Sequence, residues 1–421
     1  MSISCGPQSY TSSVAKGFGV NVGIAKGIFT NASIVSFRDR DLSGRIVLVS
    51  DPADFRPVVK ANPSAVVATF GGPLSHSATW SVGERAKIGL GFRSENLSLL
   101  KEGQSVTLSN GPFDDAHLLR GSHDYPIIAP PVRSFMRPIW MNTCNVQAAL
   151  QAAALPIAGL GIVRFEYILD EAEYELGELR GSSCTDYHDQ VSRYCMIIAN
   201  AERQERFRQF ISARLSALAQ ALWPRPIYVR LPDLILPHGG VDIRGTRALL
   251  QDTCREFTVF CISLLHKVHE RLPNTRMLIP YPQNLNQLEE VQLLCSDCGW
   301  HYPLGMMVEN SSIVRDIPLL RGGRVDGLVI GLGDLTSELL RINRDQMFDL
   351  FTHVRFENVL KIVDEVLEAG CHHDLPVYIG GFPSSWLWNL QDALQGSPDG
   401  WFLRGDPRQI SWLLGEDEYE V

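Results

Sequence analysis

The sequence has no block of positive charge and no long apolar run. Lys and Arg number 38 against 47 Asp and Glu, so the formal net charge is −9 at pH 7. An acidic chain without basic clusters is a poor partner for nucleic acid or an anionic membrane surface. No apolar run approaches the ~20 residues that a transmembrane helix needs, and the first ten residues lack the charged and apolar parts of a signal peptide. These absences predict a cytoplasmic protein that binds neither nucleic acid nor membrane.

A paired-cysteine framework is also missing. Nine cysteines, an odd number, are spread over 421 residues, which is typical of reduced thiols in a cytosol. A chain of this length has ample core for two or three domains.

The chain divides at a proline-rich segment. Residues 1–120 have the pattern of a compact, strand-rich module. Residues 121–137 carry prolines without periodicity, which is typical of a connector. Residues 138–421 alternate short apolar runs with helical stretches, and eight such runs predict a (β/α)₈ barrel. The predicted barrel strands are Ile139–Thr143, Gly161–Glu166, Ile227–Leu231, Met277–Tyr281, Leu304–Glu309, Gly327–Gly331, Val377–Gly381 and Gly400–Leu403.

A glycine-rich turn at a helix start lies within the first module. After a predicted strand over residues 65–70, Gly71-Gly72 permits a tight turn, and Ser75 or Ser77 can cap a helix. His76 falls in the first turn of that helix, where free N–H groups and the helix dipole favour a phosphoryl group. A neutral imidazole can attack phosphorus. The stretch therefore indicates a phosphoryl carrier at His76, and a polar histidine on a surface turn is the alternative.

Polar residues follow the predicted barrel strands. Because the carboxyl ends of barrel strands meet on one face, we expect these side chains to gather there. Glu309 and Asp334 end neighbouring strands and can hold one Mg²⁺ through oxygen, with positions left for phosphate. Arginines at the same face can clamp phosphate oxygens; salt bridges around a barrel rim are the alternative interpretation. The arginines are Arg164, Arg230, Arg244 and Arg344.

These motifs, in this order, resemble the family of phosphoenolpyruvate synthase and pyruvate phosphate dikinase, over nearly the whole chain. GFGVNVGIAKG and GGPLSHSATW resemble the start and the phosphohistidine loop of the family's swivelling domain. GLGIVRFEYIL, YVRLPD, IRGTR, LGMMVEN and DGLVIGLGDLTSELLRINRD resemble successive segments of its barrel. The resemblance implies an α/β fold, with an N-terminal swivelling β/β/α phosphohistidine domain followed by a TIM-type barrel. It further implies phosphate on His76, Mg²⁺ or Mn²⁺ on Glu309 and Asp334, and phosphate or substrate on Arg164, Arg230, Arg244 and Arg344.

The sequence differs from the family in features that bear on the donor and the acceptor of the phosphoryl group. No ATP-grasp domain accompanies these modules, which implies that a separate ATP-grasp subunit charges His76. The family's proton-donating cysteine aligns with Gly380, and Gly333 replaces an asparagine before the metal-binding Asp334. That thiol protonates carbon when pyruvate and enolpyruvate interconvert. Because a glycine cannot do so and is expected to free space for a bulkier acceptor, we expect a hydroxyl compound, as in phenylphosphate synthase and rifampicin phosphotransferase.

The sequence thus predicts a dikinase-type phosphotransferase subunit that passes a phosphoryl group from His76 to a small-molecule acceptor in a Mg²⁺-dependent barrel site. One alternative is a split phosphoenolpyruvate synthase component that acts on pyruvate or phosphoenolpyruvate. Another is a non-catalytic scaffold or regulatory relative. The helical stretch over residues 184–222 offers either a homodimer contact or a cover over the barrel.

Overall fold

The structure is a computed structural model of the 421-residue chain. It describes residues 13–34, 41–72, 75, 77–78, 81, 84–111, 115–124, 137–177, 187–238, 241–320, 325–343, 351 and 353–415.

The first described sheet closes into a seven-stranded barrel in the order β1-β5-β4-β3-β2-β6-β7. Pairs along β2-β3-β4-β5 are parallel, whereas β1, β6 and β7 pair antiparallel. Two apolar clusters fill the space inside the sheet and beneath its helices. Its strands are β1 (Ser13–Gly19), β2 (Gly23–Asn31), β3 (Arg45–Val49), β4 (Ala65–Ala68), β5 (Lys87–Leu90), β6 (Ser105–Asn110) and β7 (Asp115–Arg120).

The second described sheet is a closed barrel of eight parallel strands, as the alternation of strand and helix patterns predicts. The order is β10-β13-β14-β15-β16-β17-β8-β9. All eight predicted strands are present, with ends that differ by up to two residues from the predicted ones. The strands are β8 (Ile139–Met141), β9 (Gly159–Arg164), β10 (Ile227–Arg230), β13 (Thr275–Ile279), β14 (Leu304–Val308), β15 (Val325–Gly331), β16 (Val377–Pro383) and β17 (Gly400–Arg404).

A two-stranded hairpin that the sequence did not predict follows β10; its strands are β11 (Ile235–His238) and β12 (Val241–Arg244). The described helices are α1 (Pro52–Lys60), α2 (Ser94–Leu97), α3 (Val146–Ala152), α4 (Phe165–Glu175), α5 (Tyr187–Ile198), α6 (Ala201–Leu222), α7 (Thr246–Leu249), α8 (Asp252–Arg271), α9 (Leu285–Asp297), α10 (Ser311–Asp316), α11 (Leu332–Leu340), α12 (Phe356–His372), α13 (Leu387–Ala393) and α14 (Pro407–Leu414). None of these helices combines the length and the apolar character that a bilayer span requires.

The interior of the eight-stranded barrel is packed with aromatic and aliphatic side chains. Trp140, Tyr228, Tyr378 and Phe402 contact one another with ring centroids 4.7–6.0 Å apart. A filled interior leaves the ends of the strands as the place where polar groups can meet a ligand.

Helix α6 covers the barrel. Phe207, Ile211, Leu215 and Leu218 recur at helical spacing and are fully buried in the core between the strands and the outer helices. Helix α6 is therefore a cover over the barrel, which was one of the two expectations for this stretch. A homodimer contact stays a prediction.

The first barrel docks against the carboxyl-end face of the second. Nη1 of Arg56 in α1 lies 2.6 Å from Oδ2 of Asp170 in α4, and the Tyr194 hydroxyl donates to Oδ1 of Asp170 at 2.6 Å. Nearby, the backbone N–H of Val22 donates to Oδ2 of Asp406, the residue that caps α14. The predicted boundaries at 120 and 138 stay predictions, since residues 125–136 lie outside the described part.

The pair formed by Arg56 and Asp170 is expected to contribute measurably to stability. Asp170 is 5% exposed. Because Arg56→Ala removes the positive charge that pairs with this buried carboxylate, it should lower the free energy of unfolding by about 1–3 kcal/mol. Urea denaturation measures this change. The matched control is Lys26→Ala, which removes a solvent-exposed pair with Asp124 and should cost below about 1 kcal/mol. Equal effects of the two substitutions would contradict a stabilising contact between the barrels.

Candidate functional site

Four of the predicted site residues lie at the carboxyl ends of two pairs of adjacent strands, β9 with β10 and β14 with β15. Arg164 and Arg230 are the last residues of β9 and β10 and are paired in register. Glu309 follows β14 directly, and Asp334 lies in the first turn of α11, just after β15. Strands β14 and β15 pair in parallel, which brings the two carboxylates to one edge of the barrel mouth.

Arg244 reaches the same place from the hairpin. It is the last residue of β12, and its Nη2 lies 2.7 Å from Oδ2 of Asp233. Its Nη1 lies 3.0 Å from Oδ1 of Asp334. The hairpin therefore folds the chain back so that a guanidinium joins carboxylates from two different strand ends.

Arg230 lies beneath these groups and is 1% exposed. It bonds Glu166 through Nη2, while its Nη1 lies 3.5 Å from Asp233 and 3.6 Å from Glu309. We call the set joined by these contacts the carboxylate–arginine cluster; it consists of Glu166, Asp233, Glu309, Asp334, Arg230 and Arg244.

The cluster carries more negative than positive charge. Four carboxylates face two guanidinium groups, so two negative charges are left over when all groups are ionised. Burial and the neighbouring Asp334 raise the pKa of Glu309 to about 7. Burial also acts to raise the pKa of Asp233, but Arg244 and Arg230 outweigh it and the net shift is downward. Glu309 is therefore the carboxyl group whose ionised form the excess negative charge disfavours.

Glu309 fits at its position because residue 331 is glycine. A Cβ at Gly331 would lie 2.5 Å from Cγ and 2.7 Å from Oε1 of Glu309, closer than real contacts allow. The small residue at the end of β15 thus leaves room for the carboxylate that follows β14.

The remaining predicted site residues are not part of these contacts. Nη1 of Arg164 lies 3.5 Å from the Tyr167 hydroxyl, beside the cluster. His76 and Arg344 lie outside the described residues. The Ser75 hydroxyl accepts a bond from the Ala78 N–H at 3.2 Å, which is the contact expected of Ser75 as a helix cap.

The chain is similar in sequence to several known proteins. No protein-family model matches the chain. The phosphoenolpyruvate synthase of Neisseria meningitidis serogroup B is 26% identical, over 71% of this chain and 41% of that protein. The phosphoenolpyruvate synthases of Aquifex aeolicus and Deinococcus radiodurans are 23% and 24% identical, over 87% and 84% of this chain and 51% and 48% of theirs.

The chain is similar to phosphoenolpyruvate synthases over most of its length. The resemblance drawn from its motifs is confirmed. The chain spans about half the length, or less, of the curated relatives it matches, 41–51% for the three named here.

Among solved structures, an HpcH/HpaI aldolase/citrate lyase family protein from Burkholderia cenocepacia matches with a TM-score of 0.39 and 14% identity, over 66% of this chain and 91% of that one. Pyruvate kinase from Pyrobaculum aerophilum matches with a TM-score of 0.38 and 12% identity, over 68% and 73%. Likeness at this level supports no argument about function.

One expectation about the acceptor site is wrong. Gly380, which aligns with the family's cysteine, was expected to free space for a bulkier acceptor. A Cβ at Gly380 would lie 2.9 Å from Cβ of Phe402 and 3.2 Å from its carbonyl oxygen. Phe402 is fully buried, so the space beside Gly380 is already filled.

The cluster suits the divalent cation that the resemblance implies. Its donors are carboxylate oxygens, the ligands that Mg²⁺ prefers, and a divalent charge would balance its two excess negative charges. Within the described residues, no group of three or more His, Cys, Asp or Glu side chains is arranged as a metal site. Glu309 and Asp334 would therefore hold the ion together with water and substrate oxygens, as Mg²⁺ sites for phosphate compounds commonly do.

Three residues at this site were not assigned a role from the sequence. Asp233 and Glu166 were visible as charged residues at strand ends, but their pairing with Arg230 and Arg244 was not. Oε2 of Glu166 and Nε of Arg230 are buried without a hydrogen-bond partner among the described residues. Tyr281, whose N–H donates to Oε2 of Glu309 at 3.2 Å, gave no signal beyond its place after the fourth barrel strand.

Glu309→Gln is expected to stabilise the metal-free protein at pH 8. A carboxyl whose pKa rises from 4.5 unfolded to about 7 folded opposes folding once it is ionised. That penalty is absent below the unfolded pKa and complete above pH 7, with a size on the order of 3 kcal/mol. Thermal melting in a chelator should show a higher Tm for Glu309→Gln at pH 8 and little change at pH 5.

The control for this experiment is Glu290→Gln on the exposed face of α9, which should leave the Tm unchanged at both pH values. Added Mg²⁺ should raise the Tm of the wild type and not that of Glu309→Gln, since a ligand stabilises the state that binds it. A lower Tm for Glu309→Gln at pH 8 without metal contradicts this account.

Proposed function

We propose that the chain transfers a phosphoryl group between phosphoenolpyruvate and His76, as the phosphoenolpyruvate-side component of a split synthase. The observation that supports this most is the carboxylate–arginine cluster, in which Glu309 and Asp334 can hold Mg²⁺ beside Arg230 and Arg244. All three curated relatives described above are named phosphoenolpyruvate synthase. A separate ATP-grasp subunit that exchanges phosphate with His76 is part of the proposal.

In the proposed half-reaction, an imidazole nitrogen of His76 attacks the phosphorus of phosphoenolpyruvate. The bond between phosphorus and the enol oxygen breaks, and pyruvate enolate leaves. Arg244 and Arg230 neutralise the phosphoryl and carboxylate charge. Glu309 and Asp334 would hold a divalent cation, which would supply Lewis-acid stabilisation of negative charge. The enolate then takes a proton at its methylene carbon to give pyruvate.

A second candidate is transfer from His76 to a hydroxyl compound other than pyruvate. Gly380 favours it, because the packing of Phe402 leaves no room for a thiol there and an alcohol acceptor needs no proton transfer to carbon. The comparisons offer this acceptor no support. Loss of a general acid slows proton transfer by roughly 10²–10⁴-fold, so a synthase without that thiol keeps a slower protonation step.

We propose that the protein acts in the cytoplasm, as the sequence predicts. All seven cysteines in the described part of the chain are free thiols, in keeping with a reducing compartment.

The decisive experiment uses phosphoenolpyruvate labelled in its phosphoryl group, with Mg²⁺ in deuterated water. The proposal predicts an acid-labile, base-stable label on the protein, release of pyruvate, and deuterium in its methyl group. His76→Ala should abolish the label, whereas His123→Ala, in the segment that follows the first module, should retain it. If phosphoenolpyruvate labels nothing while ATP and a partner subunit label His76, the hydroxyl acceptor is the better function.

A further inference from the structure

Tyr281 has a backbone conformation that large side chains seldom adopt. Its φ is +42°, and such a position costs on the order of 1–3 kcal/mol unless its surroundings fix it. The surroundings do so on both sides. The N–H and hydroxyl of Thr246 donate to the Pro280 carbonyl at 3.0 and 2.5 Å, and the Asn310 amide donates to the Pro282 carbonyl at 2.8 Å.

This conformation directs two parts of Tyr281 at two members of the cluster. Its N–H donates to Oε2 of Glu309, and its ring lies beneath the guanidinium of Arg244, with 4.6 Å from Cζ to the ring centroid. Gly245 permits the approach, because a Cβ there would lie 2.5 Å from Cβ of Tyr281.

The ring has a definite effect on Arg244. The side chain of Arg244 is 25% exposed, so it borders solvent and needs support to keep one orientation. Asp233 and Asp334 hold the edge of its guanidinium, while the aromatic face supports its plane. A planar fork fixed in this way is suited to a phosphate or carboxylate ligand.

We propose that Tyr281 is a positioning residue that orients the Arg244 fork for a ligand with phosphate and carboxylate groups, while its peptide N–H holds Glu309. The inference deepens the proposed function and rests on it for the identity of the ligand, phosphoenolpyruvate. The aromatic ring of Tyr281 acts on Arg244, whereas its backbone N–H acts on Glu309. Substitutions of the side chain therefore affect the first interaction and leave the second in place. Burial raises the pKa of Tyr281 to about 12, which leaves its phenol neutral at physiological pH.

The test compares Tyr281→Leu, which removes the aromatic face, with Tyr281→Phe, which keeps it. Calorimetry measures phosphoenolpyruvate affinity, and electron paramagnetic resonance measures Mn²⁺ affinity. Tyr281→Leu should weaken phosphoenolpyruvate binding about tenfold and leave Mn²⁺ affinity within threefold, because the N–H to Glu309 remains. Tyr281→Phe should restore phosphoenolpyruvate affinity.

The matched control is Phe210→Leu, which removes another aromatic ring stacked on an arginine, Arg214 in α6, and should alter neither affinity. Three results overturn the proposal: unchanged phosphoenolpyruvate binding by Tyr281→Leu, a parallel loss of both affinities together with a lower Tm, or equal loss in Tyr281→Phe.

A double-mutant cycle keeps the test independent of the proposed function. If the wild type binds no phosphoenolpyruvate, the proposed function fails, and the unfolding equilibria of Tyr281→Leu, Arg244→Lys and the double variant decide the positioning role. Lysine keeps the charge beside Asp233 and Asp334 but lacks the planar fork. The unfolding constant of the double variant should differ by threefold or more from the value expected if the two substitutions acted independently. Additive effects show that the ring does not hold the guanidinium and overturn the proposal.

Discussion

The site depends on the pairing of buried charges at the mouth of the eight-stranded barrel. Arg230 is almost inaccessible to solvent, and without partners its charge would be costly to bury. Glu166, Asp233 and Glu309 surround it, while Arg244 joins Asp233 to Asp334. The pairing is incomplete, because carboxylates outnumber guanidinium groups. This imbalance makes the cluster suited to a divalent cation rather than to stability alone.

Helix α4 connects the cluster to the first barrel. Glu166 in its first turn bonds Arg230, and Asp170, one turn later, bonds Arg56 and Tyr194. Because α4 begins directly after β9, the strand that positions Arg164 also fixes the place where the first barrel docks. A movement of the first barrel would therefore act on a helix that holds one side of the site.

The barrel strands could be predicted because buried parallel strands are short apolar runs separated by helical patterns. The polar residues at the ends of these strands identified Glu309, Asp334 and Arg230 as candidate site residues. Partners far apart in sequence could not be predicted, because no spacing rule links Arg244 to Asp334. The hairpin that carries Arg244 has short strands of mixed polarity, and the φ of Tyr281 follows from tertiary hydrogen bonds, which leave no local pattern.

The most direct test of the central claim is to locate Mn²⁺ by anomalous scattering in crystals of the protein grown at pH 8. The account predicts one strong peak, about 2 Å from an oxygen of Glu309 and from an oxygen of Asp334, with the peak lost in Glu309→Gln. A saturating concentration of Mn²⁺ that gives no peak between these carboxylates, or a peak at other residues, contradicts the account. The cluster would then be a network of structural ion pairs.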